Sequence, residues 1–133
     1  LTGLKAKGGD AGDVIGLGTK PAFIYKNEVA NNGIIFKHEV LCTEIPASTS
    51  GTITTDINVA WNSSATIDFD EAGGTGSEIN TGGLVAGQVV QDLTAAITAN
   101  HYAYLTEGDT AASTGTYTSG QLIYRMYGYK VRG

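Results

Sequence analysis

Thr52-Ile53-Thr54-Thr55-Asp56-Ile57-Asn58-Val59-Ala60-Trp61 alternates with a period of two. Ile53, Thr55, Ile57, Val59 and Trp61 share one face, whereas Thr52, Thr54, Asp56 and Asn58 take the other. Only an extended strand separates residues in this way, so the first face is expected in a core and the second in water. The turn Asn62-Ser63-Ser64 interrupts the pattern, and Thr66-Ile67-Asp68-Phe69-Asp70 resumes it with Ile67 and Phe69 inward.

Toward the N-terminus, residues 22–26 and 33–41 have strand character and are separated by Asn31-Asn32-Gly33, a hairpin signal. Toward the C-terminus, a glycine-rich loop over 71–83 divides the chain into halves. In 87–98, Val89, Val90, Leu93, Ala96 and Ile97 fall at three- and four-residue spacings, which predicts a short helix, although Val, Thr and Ile also suit a strand. Strand character returns at 101–106. The strongest strand is Gln121-Leu122-Ile123-Tyr124-Arg125-Met126-Tyr127-Gly128-Tyr129-Lys130-Val131, with Leu122, Tyr124 and Met126 on one face and Ile123, Arg125, Tyr127 and Tyr129 on the other. A strand that is apolar on both faces is either central in a layered fold or turned toward a partner.

Many short strands, nineteen glycines and no βαβ alternation predict an all-β fold, an antiparallel β-sandwich of seven or eight strands resembling a jelly roll. The 133 residues suffice for one core. Residues 1–20 contain six glycines and few large apolar groups, so they are expected to form a flexible arm ahead of a single sandwich domain spanning 21–133.

The thirteen carboxylates outnumber the eight Lys and Arg by five, and the charges are segregated. No Lys or Arg lies between His38 and Tyr124, where ten of the carboxylates fall. Such a distribution favours contact between unlike surfaces, within the fold or between copies of it. An acidic chain lacks the basic stripe that grips phosphate, so nucleic acid is not an expected partner. No run approaches the length of about 18 apolar residues needed for a membrane span, so a membrane is not expected either.

Catalytic patterns are weak. Gly16-Leu17-Gly18-Thr19-Lys20 has the wrong order for a phosphate loop, and Gly-x-Ser-x-Gly does not occur. Cys42, His38 and His101 lack the paired spacing of a zinc site. Asp68, Asp70, Glu71 and Glu78 flank a glycine loop where calcium deserves consideration, but Ala72 and Ile79 stand where an EF-hand needs ligands. The chain is therefore read as a non-enzyme without a cofactor. Asn62-Ser63-Ser64 matches a glycosylation triplet, relevant only in a secretory route.

The segments His101-Tyr102-Ala103-Tyr104-Leu105-Thr106, Gly115-Thr116-Tyr117-Thr118-Ser119-Gly120 and the run from Gln121 to Tyr129 resemble the closing strands of small jelly-roll decoration or cement proteins of tailed-phage capsids, or of a related virion β domain. The resemblance implies a virion structural protein on the capsid exterior, which self-associates, with a trimer favoured, and stabilises the shell by binding the major capsid protein. Independently, the residues suggest an interface in which Arg125, Tyr127 and Tyr129 are anchors and Lys5, Lys7 and Lys20 meet acidic partners. The alternative reading is an extracellular carbohydrate-binding β-sandwich that stacks sugars on its aromatic residues.

Overall fold

The computed structural model describes residues 1–6, 10–18, 22–48, 53–74, 79–93, 97–108 and 114–130. Its longest strand, β3 (Ile34–Ala47), is central in an antiparallel sheet, with β5 (Val89–Asp92) on one side and β8 (Ser119–Tyr129) on the other. A second antiparallel sheet has the order β2 (Tyr25–Lys26), β6 (Tyr102–Glu107), β4 (Ile57–Asn62). A ribbon of β1 (Lys5–Ala6) and β7 (Gly115–Thr116) lies beside them. The expected all-β antiparallel sandwich is thus present, in a three, three and two arrangement among the described residues.

Alternation along each strand builds the core. Val40 and Cys42 of β3, with Val90 of β5 and Leu122, Tyr124 and Met126 of β8, face Ile57, Val59 and Trp61 of β4 and Ala103 and Leu105 of β6. Trp61, inward by its phase, is 2% exposed. A smaller cluster of Val14, Ile67 and Tyr104 covers the opposite face of the second sheet. Cys42 is a buried free thiol, and burial pushes its pKa up.

Several expectations are corrected. Residues 89–92 of the predicted helix are strand β5, registered Leu41 to Val89 and His38 to Asp92. Tertiary pairing wins there, because Val and Gln satisfy a half-buried edge strand as readily as a helical face. The expected hairpin around Asn31-Asn32-Gly33 does not form. A single-turn helix, α1 (Val29–Asn32), intervenes, and β2 pairs with β6 rather than with β3. Gly33 ends the turn at φ +71°, and a Cβ there would overlap the Tyr129 carbonyl.

The described part of residues 1–20 packs on the sandwich. Beyond the end of β2, the segment around Val14 becomes the neighbour of β6: Ile15 N–H donates to Leu105 O at 2.9 Å and Glu107 N–H to Asp13 O at 2.8 Å. Val14 and Ile15 are each 1% exposed, so two large side chains suffice to anchor a segment otherwise rich in glycine. Among the described residues of the 52–61 alternation, the polar face is likewise not wet, and Thr52 lies outside them. Asp56 and Asn58 are buried, with Asn58 Oδ1 accepting the Thr81 N–H at 3.0 Å and Asp56 N–H donating to Thr54 Oγ1 at 2.8 Å.

The strand assignment of 89–92 makes a phase-specific prediction. Val90→Asp places a carboxylate against the core and should destabilise the fold by about 2–3 kcal/mol, whereas Val89→Asp, on the outward face, should stay within about 0.5 kcal/mol. Urea unfolding of the two variants measures the difference, and equal effects would rule out the period-two arrangement.

Candidate functional site

The outward face of the β5-β3-β8 sheet gathers three of the six residues expected at an interface. Register places Arg125 opposite Glu39, Tyr127 opposite Lys37 and Tyr129 opposite Ile34. A register shift between Ile35 and Lys37 leaves Phe36 as an extra residue, a β-bulge. Phe36 is 49% exposed, and its ring lies 6.3 Å from that of Tyr129.

Glu39 is the centre of this face. Its carboxylate is almost closed off from water, yet it is fully engaged: Oε1 accepts from the Tyr127 hydroxyl at 2.9 Å and from Arg125 Nη1 at 3.1 Å, and Lys37 Nζ lies 2.9 Å from Oε2. Lys37 Nζ also sits 4.6 Å from the Tyr127 ring centroid, a cation–π contact. Hydrogen bonds from Lys37, then Tyr127, then Arg125 hold the Glu39 carboxyl at about 2, well below its ordinary 4.5. Two cations on one carboxylate leave the centre with one net positive charge.

Around that centre the face is greasy. Ile34, Phe36, Val89, Ile123 and Tyr129 are between 38% and 52% exposed. Gly128 allows the strands to close beside them, because a Cβ would meet Ile34 O and Asn32 O at 2.9 Å. Lys5 is elsewhere, on β1, where it pairs with Thr116. Lys7 and Lys20 lie outside the described residues, as does Glu78.

On the inward face of the same strands, His38 is fully buried. Its Nδ1 is 3.0 Å from the Tyr124 hydroxyl, and Nε2 is 3.8 Å from Asp92 Oδ2, too long for a hydrogen bond. The proximity of Asp92 favours the proton on Nε2, so Nδ1 accepts from Tyr124. Burial lowers the His38 pKa and outweighs the opposing pull of Asp92. The ring is packed away from solvent and is not presented to a substrate.

In the loop considered for calcium, the Glu71 carboxylate accepts the Asp68 N–H at 2.9 Å. Among the described residues no three His, Cys, Asp or Glu side chains are grouped to hold a metal ion. Of the aromatic residues weighed for sugar stacking, Trp61, Tyr104 and Tyr117 are buried and Tyr102 is half-buried against Phe23, which leaves Tyr127, Tyr129 and the unanticipated Phe36 on the outward face. Sequence reading missed Glu39 and Lys37 as well. Their spacing of two puts them on one face, but nothing in the sequence announces the cross-strand partners 86 and more residues away.

Two pH dependences follow, with separate windows. Glu39 stays ionised to about pH 2 in the native state while the unfolded chain protonates near 4.5, so its contribution is complete above 4.5 and is lost as pH falls toward 2. Glu39→Gln should flatten the urea midpoint across that range. His38 is held neutral by folding, so stability should fall as pH drops below about 6.5, where the unfolded chain takes up a proton that the native state resists. His38→Gln should remove this second slope, and an unchanged slope would show that His38 is not its source.

No family model, curated protein or solved structure matches this chain.

Proposed function

We propose that the chain is a non-enzymatic virion structural protein, a decoration or cement protein on the exterior of a tailed-phage capsid. In this reading it associates with copies of itself, a trimer being favoured, and with the major capsid protein, whose shell it stabilises. The observation that carries the reading is the outward face of β3 and β8, where Ile34, Phe36, Ile123 and Tyr129 stay exposed around the ion-paired Glu39. Large apolar side chains left exposed on both sides of a charged centre are found at protein interfaces, with Tyr and Arg as the typical anchors. The burial of His38 and Cys42 supports a non-catalytic role, since neither group is offered to a ligand.

A carbohydrate-binding module is the second reading. The Phe36 and Tyr129 rings, tilted by 35° from each other on an open sheet, provide a surface on which a sugar can stack.

Sedimentation velocity and native mass spectrometry test the first reading. The wild type should form a discrete oligomer at micromolar concentration and bind capsids stripped of their decoration. Phe36→Ala with Tyr129→Ala should raise the dissociation constant by about thirtyfold, the equivalent of about 2 kcal/mol for a hot-spot pair, without lowering the unfolding midpoint. A monomer that ignores capsids but binds glycans through Tyr129 would favour the second reading.

A further inference from the structure

Cys42 of β3 turns its main chain toward β5, its N–H donating to Gln88 O at 3.0 Å and its carbonyl accepting from Gly87 N–H at 2.8 Å. Antiparallel pairing alternates, so Val40 and His38, opposite Val90 and Asp92, also turn toward β5, and Leu41, Glu39 and Lys37 turn toward β8. Their partners Ile123, Arg125 and Tyr127 engage β3, and Leu122, Tyr124 and Met126 aim their N–H and carbonyl groups away from it. β8 lies at the rim of its sheet, and among the described residues no strand pairs with that outer edge. The edge carries none of the usual guards against pairing. The register runs without a shift from Leu122 to Tyr127, there is no proline, and the one charged side chain, Arg125, points outward to Glu39. Leu122, Tyr124 and Met126 face inward, yet each is only half-buried. They border a groove of about 470 Å³ between the sheets, whose other wall includes Ile24, Val59 and Leu105. Residues 1–6 approach one end of this edge, antiparallel to 115–120: Lys5 pairs with Thr116, Gly3 N–H donates to Tyr117 O at 2.9 Å and Leu1 N to Gly120 O at 2.7 Å. Beyond Gly120 no described residue continues their line along β8.

We propose that this edge and groove take up an extended peptide segment of another protein, which adds to β8 as an antiparallel strand and sets an apolar side chain between the sheets at every second residue. A row of main-chain donors and acceptors at strand spacing is complemented by another strand. In an antiparallel pair, the residues bonded to Leu122, Tyr124 and Met126 turn their side chains to the same face as those three, and so into the groove. No charged side chain lines the groove among the described residues, so the inserted side chains are aliphatic or aromatic. A small apolar molecule would fill the space but leave the row unpaired. A second copy of β8 is obstructed, because symmetric pairing centred on Tyr124 sets Gly128 of the copy against Gly120, whose carbonyl Leu1 already holds. The site uses the edge and the inner side of β8 rather than its outward face, so it does not depend on the self-association proposed above.

Amide hydrogen exchange of the full chain, followed by NMR, tests the edge residue by residue. In the free protein, Leu122, Tyr124 and Met126 should exchange at least about a hundredfold faster than Ile123, Arg125 and Tyr127. The probe is a capped synthetic peptide, Thr-Val-Thr-Ile-Thr-Val-Thr. It should bind with a dissociation constant below about 1 mM and, at ten times that constant, slow the three edge amides by about tenfold. N-methylation of its Val and Ile residues removes the donors that face β8 and should abolish binding, whereas N-methylation of its Thr residues should leave binding intact. Ile24→Asp, at an exposed position in the groove wall, should keep the unfolding midpoint and raise the dissociation constant by about tenfold. Slow exchange of all six amides in the dilute free chain, no binding up to about 1 mM, equal binding by the two methylated peptides, or an Ile24→Asp variant that binds like the wild type would overturn the site. Protection of the three edge amides that grows with the concentration of the chain itself would assign the edge to a second copy and overturn the proposed partner.

Discussion

The ladder between β3 and β8 is the constraint on which the rest of the structure depends. It joins residues between 72 and 95 positions apart, from Ala47 opposite Ser119 to Ile34 opposite Tyr129. Its two faces are set at once, since a strand cannot move by one residue without turning every side chain over. The same register that sends Val40, Cys42, Tyr124 and Met126 into the core sends Glu39, Arg125 and Tyr127 outward. Core and candidate interface are therefore two sides of one alignment, and the bulge at Phe36 adds an aromatic side chain to the outward side without disturbing the inward one.

Buried polar groups reinforce that alignment. His38 meets Tyr124 across the ladder, and Asn58 and Asp56 tie the loop at Thr81 to β4 and to the segment just before it. Each such contact is worth little in net free energy, but a shifted register would strand a donor or acceptor away from water at a cost of about 1–3 kcal/mol. The polar residues act as a penalty on wrong pairings more than as glue for the right one.

What could be read in the sequence follows from this division between local and distant causes. The phase of Ile57, Val59 and Trp61 and the two-faced character of Leu122 to Tyr129 are local properties of a strand, and both are found in the fold. The sandwich class follows from them. The wetness of Asp56 and Asn58 could not be read, because it depends on the loop at Thr81 folding over them. Nor could the fate of 89–92, since Val89 and Val90 become strand only by pairing with Leu41 and Val40. The glycines of residues 1–20 suggested an arm, but Val14 and Ile15 find burial on β6, a site supplied from about ninety residues away. For the candidate interface, Arg125, Tyr127 and Tyr129 were legible as large outward side chains. Their common dependence on Glu39 was not.

That dependence bears on how the face works. A carboxylate nearly closed to water is costly unless it is paired, and Glu39 is paired three times over by Lys37, Tyr127 and Arg125. The arrangement holds the Tyr127 ring and the Arg125 guanidinium in place within the single chain. Side chains already held in place lose little freedom on docking, whereas a mobile long side chain opposes association by about 0.5–1.5 kcal/mol when it is immobilised. Phe36 and Tyr129, at the rim of the same face, gain a rigid backing without themselves being buried. Under the proposed self-association, the ion centre would prepare a surface for contact in addition to its contribution to the stability of the isolated fold.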